Sequence, residues 1–222
     1  QLGDGQQVSA NAPQMIVNGM AAVAPGYDHT CAVAAAGTVS CWGDDNQGEL
    51  GDGTVGGGPV LTPQPVNGLV GMVAVSAGDS LTCALGGDET VSRLGANKPS
   101  QVGTPTSTCG SCPTPMPVMN LTGIESIAAG LRHVCALRSN GTVACWGENQ
   151  YGQLGNGQSP TDSAQPVDVS GLTGVVAIGS GNDHTCAMLG NGSARCWGRN
   201  QFGQLGDGTT TNRPTPVSVV GL

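Results

Sequence analysis

Residues 183–198 contain Asp183-His184-Thr185-Cys186-Ala187-Met188 and then Ala194-Arg195-Cys196-Trp197-Gly198, and the chain continues to Gln204-Leu205-Gly206-Asp207-Gly208. The same pattern occurs as Asp28-His29-Thr30-Cys31-Ala32-Val33 with Val39-Ser40-Cys41-Trp42-Gly43. It occurs again as His133-Val134-Cys135-Ala136-Leu137 with Val143-Ala144-Cys145-Trp146-Gly147. A variant of Asn-x-x-Gly-Gln-Leu-Gly follows each time, ending at Gly51, Gly155 and Gly206, and a Pro-rich segment such as Pro63-Gln64-Pro65-Val66 or Pro214-Thr215-Pro216-Val217 closes the unit. A fourth unit is worn. Leu81-Thr82-Cys83-Ala84-Leu85 opens it, Arg93-Leu94-Gly95 stands where the others have Cys-Trp-Gly, and Gln101-Val102-Gly103 replaces Gln-Leu-Gly. The register still holds: Cys31, Cys83, Cys135 and Cys186 are 52, 52 and 51 residues apart, and Trp42, Leu94, Trp146 and Trp197 take the same steps. Loss of signature residues without loss of length points to a retained backbone.

Each unit reads as four short strands separated by turn signals such as Asn140-Gly141 and Asn191-Gly192. The first strand is typified by Val175-Val176-Ala177-Ile178, and the Cys-Ala-Leu, Cys-Trp-Gly and Pro-x-Pro-Val segments supply the rest. Four strands in each repeat of roughly 50 residues is the signature of propeller blades. The sequence therefore predicts an all-β chain of β-propeller blades, each of four antiparallel strands. It divides into complete units at 21–69, 70–121 (the degenerate one), 122–172 and 173–222, together one repeat domain. Residues 1–20 read as a partial unit, because Gln1-Leu2-Gly3-Asp4-Gly5 repeats Gln204-Leu205-Gly206-Asp207-Gly208. The propeller is thus incomplete within these residues, and the expectation is an N-terminal extension or assembly of several copies.

Composition agrees. Gly accounts for 38 of 222 residues and Pro for 14, more than long helices tolerate. The net charge is −8 and Lys98 is the only lysine, so the chain lacks the basic face that nucleic acid or an anionic membrane surface requires. No apolar run approaches the ~18 residues of a membrane span. The first residues have neither the basic start nor the apolar stretch of a signal peptide, which predicts a leader already removed or a piece of a longer protein.

The string His-Thr-Cys-Ala-Leu…Gly-x-Val-x-Cys-Trp-Gly-x-Asn-x-x-Gly-Gln-Leu-Gly strongly resembles the repeat of the regulator-of-chromosome-condensation family, over essentially the whole chain. The resemblance implies a propeller, typically of seven blades, and is of the kind found in bacterial secreted members. Family functions range from guanine-nucleotide exchange on a small nuclear GTPase to protein inhibition and surface binding, so fold alone does not select among them.

Nine cysteines in an acidic, lysine-poor chain point to an oxidising compartment, hence a secreted or cell-surface protein. Within a hairpin, paired residues share a constant index sum. For Cys31 and Cys41 the sum is 72, which also pairs Val33 with Val39. Cys135 with Cys145 and Cys186 with Cys196 are likewise symmetric about Asn140 and Asn191. Opposed residues lie ~4.5–5.5 Å apart at Cα, within reach of a disulfide, and closing each ten-residue loop stabilises by roughly 2.5–3 kcal/mol in the chain-entropy model. In the degenerate unit Arg93 holds the second Cys position, so Cys83 lacks its hairpin partner. Either Cys109 and Cys112 bond to each other and Cys83 stays a buried thiol able to link chains, or Cys83 pairs with one of them. A redox or zinc role for Cys109-x-x-Cys112 lacks the helix or the second ligand pair that each requires.

His29, His133 and His184 share one repeat position, and a catalytic base is needed only once. They read as blade-building residues that hydrogen-bond backbone near the propeller axis. Trp42, Trp146 and Trp197 read as inter-blade packing, and Asn46, Asn149 and Asn200 as turn residues. Asp44-Asp45 adds local negative charge. Asp4, Asp52 and Asp207, with Asn156 in the corresponding third loop, offer too few oxygens for calcium and read as turn chemistry. The sequons at Asn120, Asn140 and Asn191 are formal matches, the latter two at hairpin tips. No phosphate loop, nucleophile elbow or acid/base pair emerges, so no catalytic, cofactor or metal residue is assigned. The expectation is a non-catalytic extracellular structural or protein-binding propeller, such as a protomer of a surface fibre or sheath. A secreted inhibitor or adhesin is the alternative, and guanine-nucleotide exchange, which needs a reducing compartment, is the third.

Overall fold

The computed structural model describes residues 1–10, 12, 15–97 and 109–221. The described residues form sixteen strands and no helix. Blade 1 contains β1 (Met20–Pro25), β2 (His29–Ala34), β3 (Val39–Gly43) and β4 (Val60–Pro65). Blade 2 contains β5 (Met72–Ala77), β6 (Leu81–Gly86), β7 (Val91–Ala96) and β8 (Ser111–Pro117). Blade 3 contains β9 (Ile124–Ala129), β10 (His133–Arg138), β11 (Val143–Gly147) and β12 (Ser163–Asp168). Blade 4 contains β13 (Val175–Ser180), β14 (His184–Leu189), β15 (Ala194–Gly198) and β16 (Arg213–Ser218).

Each blade is a four-stranded antiparallel meander in sequence order. The worn unit keeps the full set of strands, and Cys83 still faces Arg93 where its counterparts face a second Cys. The Gly of Cys-Trp-Gly has a backbone reason. Gly43 and Gly198 have φ of 110° and 103°, and a Cβ on either would stand 2.5 Å from the carbonyl oxygen of Asp28 or Asp183 respectively.

The core lies between blades. Cys31, Val33, Val39, Cys41 and Leu50 of blade 1 pack on Ala84 and Leu94 of blade 2. Leu81, Cys83, Leu85 and Val91 of blade 2 pack on Val134, Ala144 and Trp146 of blade 3, and Cys135, Leu137 and Cys145 of blade 3 on Ala187 and Trp197 of blade 4. Next to the first strand of each blade, backbone bonds step from one blade to the next: Tyr27 N donates to Gly78 O (2.9 Å), Asp79 N to Leu131 O (3.0 Å) and Leu131 N to Asn182 O (2.8 Å).

Candidate functional site

The recurring His does not bond backbone, as the sequence suggested. His29 and His133 are buried, and each Nε2 lies 2.8 Å from the hydroxyl of a Thr one blade on, Thr82 and Thr185 respectively. A Thr occupies the residue after His in the repeat, so adjacent blades bond through consecutive positions. Burial pushes the His29 imidazole down to about 4 and that of His133 to about 3, so both rings are neutral. Between blades 2 and 3 both partners are exchanged together: Leu81 takes the His place, Val134 the Thr place, and the two join the same apolar cluster. That exchange leaves no polar group unmatched at this seam position.

The Trp residues combine packing with a donor bond. Trp197 Nε1 donates to the Gln153 carbonyl of the preceding blade's loop (2.9 Å), and Trp42 Nε1 donates to the Gln1 carbonyl (2.6 Å). Residues 1–5 therefore sit on blade 1 as the Gln-Leu-Gly loops sit on their neighbours. Gly5 N donates to Leu61 O (2.9 Å), as Gly157 N does to Pro214 O (2.8 Å). Trp146 Nε1 is buried with no partner among the described residues, and Gln101-Val102-Gly103, read as the corresponding loop, lies outside them.

Cys31–Cys41, Cys135–Cys145 and Cys186–Cys196 are joined as disulfides between directly opposed residues, with Cα separations of 4.1 Å. Cys109 is joined to Cys112 across a Cα separation of 5.6 Å, and Cys83 is a buried free thiol. Geometry separates the two alternatives for Cys83. β7 lies between β6 and β8, and Cys83 faces Arg93 while Cys112 faces Gly95, so Cys112 is at least two strand spacings from Cys83, more than about 9.5 Å and beyond the ~7 Å that a disulfide spans. Burial pushes the Cys83 thiol up to about 12 and lowers the facing Arg93 guanidinium to about 10. Arg93 is fully buried, and its Nε, Nη1 and Nη2 have no hydrogen-bond partner among the described residues.

Asp45, and not Asn46, is the counterpart of Asn149 and Asn200. Asp45 Oδ1, Asn149 Oδ1 and Asn200 Oδ1 each accept from the backbone N of a Leu five residues on, at 3.0 Å. All three side chains are buried, whereas Asn46 is exposed. Counting from Trp shows the reason: Asp45, Asn149 and Asn200 each lie three residues beyond it, as Asn97 does beyond Leu94. Asp44-Asp45 is therefore more than local charge. Asp52, Asp207 and Asn156 accept from backbone two residues ahead, and Asp4 does the same toward Gln6 N. Hydrogen bonds from Thr209 and Arg213 hold the Asp207 carboxyl well below the usual range. No group of three or more His, Cys, Asp or Glu that could hold a metal ion occurs among the described residues.

The Tyr and Phe residues are grouped by which end of the blades their loops occupy, which no local sequence pattern encodes. The chain has two Tyr and one Phe, and all three lie at the end where the second strands begin and the third strands finish. Tyr27 precedes β2, Tyr151 follows β11 and Phe202 follows β15. The Arg199 guanidinium lies 5.0 Å from the Tyr151 ring centroid and 5.8 Å from that of Phe202, and Arg199 Nη1 bonds Asp183 at 3.0 Å. Tyr27 and Phe202 are exposed. The opposite end carries hairpin tips around Gly37, Gly141 and Gly192 that contain no Tyr, Phe or Trp.

The regulator of chromosome condensation (RCC1) repeat matches residues 36–85, 140–188 and 191–222, and a second description of the same repeat matches 21–49, 124–153 and 175–204. The chain belongs to the RCC1 repeat family. It is 34% identical over 233 aligned residues to the human E3 ubiquitin-protein ligase HERC2, covering all of this chain and 5% of that protein. It is 32% identical to the mitochondrial RCC1 domain-containing protein RUG3 of Arabidopsis thaliana, covering 90% of this chain and 47% of RUG3. The fold superposes on yeast RCC1 (Prp20), solved bound to Kap60, with a TM-score of 0.80 and 23% identity, covering 89% of this chain and 48% of that one. The chain thus spans about half the length of RUG3 and of the solved yeast propeller, and a small part of HERC2.

Proposed function

We propose that this RCC1 propeller chain is a non-catalytic protein-binding unit whose contact surface is the end of the blades bearing Tyr27, Tyr151, Phe202 and Arg199. The observation that carries this reading is the placement of every Tyr and Phe at one end, two of them around an arginine. Aromatic and arginine side chains dominate the energetics of protein interfaces, and this chain has few to distribute. The repeated His, Trp and Asn/Asp residues are occupied in joining blades and shaping loops, which supports a role without catalysis. Relatives favour the same class: Prp20p is described with its binding to Gsp1p and histones, and yeast RCC1 bound to Kap60.

The proposed compartment is oxidising, secreted or cell-surface, on the strength of three hairpin disulfides. Within that setting an adhesin, an inhibitor or a fibre protomer uses the same surface, and nucleotide exchange ranks below them.

Capture of proteins on the immobilised chain tests the surface. A bound protein is expected to be lost when Tyr151, Phe202 and Arg199 are replaced together by Ala, and retained when Asn140 and Asn191 at the opposite end are replaced. The reverse pattern would sink the assignment. A nucleotide-release assay on a small GTPase separately tests the exchange reading.

A further inference from the structure

Arg93 Nε, Nη1 and Nη2 and Trp146 Nε1 are hydrogen-bond donors with no partner among the described residues, and both side chains are 0% exposed. All four atoms belong to the seam between blades 2 and 3. The other buried atoms in that state, His29 Nδ1 and His133 Nδ1, lie in other seams on neutral rings that already bond a Thr through Nε2.

Register brings Arg93 into this seam. It faces Cys83 across the β6–β7 pair, so the two side chains leave the same face of blade 2. Cys83 shares a buried cluster with Val134, Ala144 and Trp146, which identifies that face as the one turned to blade 3. The next seam has the same placement: Cys145, the counterpart of Arg93, shares a cluster with Trp197, the counterpart of Trp146. Guanidinium and indole therefore lie on facing sides of one interface.

Nothing on those two faces offsets the charge. The ion pairs of the described residues take Arg132, Arg138, Arg199 and Arg213, and none takes Arg93. Burial lowers the guanidinium only to about 10, so it is charged at neutral pH. The Cys83 thiol, pushed up to about 12, stays protonated and adds a donor without adding negative charge. Leu81, Leu85 and Val91 line the rest of the blade 2 face. A bare buried cation is strongly unfavourable, and water satisfies hydrogen bonds without supplying the opposite charge.

We propose that the seam between blades 2 and 3 binds one monovalent, weakly hydrated anion, chloride or bromide, through the Arg93 guanidinium, Trp146 Nε1 and the Cys83 thiol. The donors define its chemistry. One negative charge balances one guanidinium, whereas a dianion would leave an excess charge buried. Fluoride holds its water too tightly to enter an apolar seam. The ion enters as the two blades close, so it is bound by the folded chain alone and its binding adds to folding.

Urea unfolding of the full chain in sodium chloride, bromide and fluoride at fixed ionic strength tests this. The wild-type folding constant is expected to rise with chloride or bromide in place of fluoride, approaching about a tenfold gain per tenfold halide once binding saturates. Trp146→Phe keeps a ring and removes the donor, and is expected to weaken halide binding about tenfold. Oxidised Arg93→Cys lacks the cation and has the hairpin pair of the other blades, so it is expected to fold and to lose the halide gain. Anomalous scattering from bromide-soaked crystals is expected to place the ion beside Arg93 and Trp146. The proposal is overturned by a wild type that gains nothing over fluoride, by an equal gain in Arg93→Cys, by unchanged affinity in Trp146→Phe, or by bromide found only elsewhere.

Discussion

The seam between blades 3 and 4 and the seam between blades 2 and 3 share one backbone and differ in side chains. In the first, His133 bonds Thr185, Cys135 is joined to Cys145, and Trp197 donates to the Gln153 carbonyl. In the second, Leu81 meets Val134, Cys83 faces Arg93 with no disulfide, and Trp146 Nε1 lacks a partner among the described residues. Both seams are buried. Where the polar pair was exchanged as a pair, the apolar replacement leaves no group unmatched. Where one Cys was exchanged alone, a thiol and a guanidinium are left buried without a hydrogen bond between them, the costly kind of change.

The largest break in that comparison is Trp197→Ala. It removes a fully buried indole and its bond to Gln153 from the regular seam, and is expected to cost about 3–5 kcal/mol in chemical denaturation. The reverse experiment repairs the worn seam. Arg93→Cys places a second thiol directly opposite Cys83, in the geometry of the other three hairpins. It is expected to oxidise and to stabilise by about 3 kcal/mol, counting loop closure alone. Intact mass with and without reductant reports the bond, and loss of the gain on reduction assigns it. A variant that stays reduced in oxidising buffer would show that the two seams differ in backbone as well.

What was legible in the sequence was whatever recurs at fixed spacing. The steps between Cys31, Cys83, Cys135 and Cys186 revealed four blades, and hairpin symmetry placed Cys31, Cys135 and Cys186 opposite their partners. Contacts between repeats were less legible, because a period says which residues correspond and not which meet. The period alone therefore does not pair the His rings with Thr82 and Thr185, which lie about one period further on. Residue type pairs Asn46 with Asn149, whereas counting from Trp42 pairs Asp45 with it, and the spacing is what the loop obeys. The clustering of Tyr151, Arg199 and Phe202 needed the superposition of two loops from different blades, which no local pattern encodes.

The same contrast extends to the loop of blade 1, where Glu49 stands in place of Gln153 and Gln204. Its Oε2 accepts from Gln47 N at 2.7 Å, as Gln153 Oε1 does from Tyr151 N at 2.8 Å. Burial pushes the Glu49 carboxyl up to about 7 from an ordinary value of 4.5. The folded chain holds this proton more tightly than the unfolded chain, so the contribution is present below about 4.5 and lost as pH rises through about 7. Glu49→Gln should therefore gain on the order of 2–3 kcal/mol over wild type at pH 8 and almost nothing at pH 4. The difference between their unfolding free energies across pH isolates this group from His29 and His133, whose lowered values make both proteins less stable as pH falls from about 6.5.

The finest test concerns the matched exchange itself. Leu81→His alone would bury an imidazole against Val134, and Val134→Thr alone would bury a hydroxyl against Leu81. Each is expected to cost about 1–3 kcal/mol, the penalty of an unmatched buried polar group. Together they rebuild the pair that joins His133 to Thr185, so the double variant should be more stable than the sum of the single losses by about 1–2 kcal/mol. The cycle requires only four denaturation curves. Additive losses would mean that Leu81 and Val134 diverged independently and that the hydroxyl–imidazole bond contributes little to joining blades. A positive coupling would mean that the His–Thr step is a portable connector, interchangeable with an apolar pair because its two halves are exchanged together.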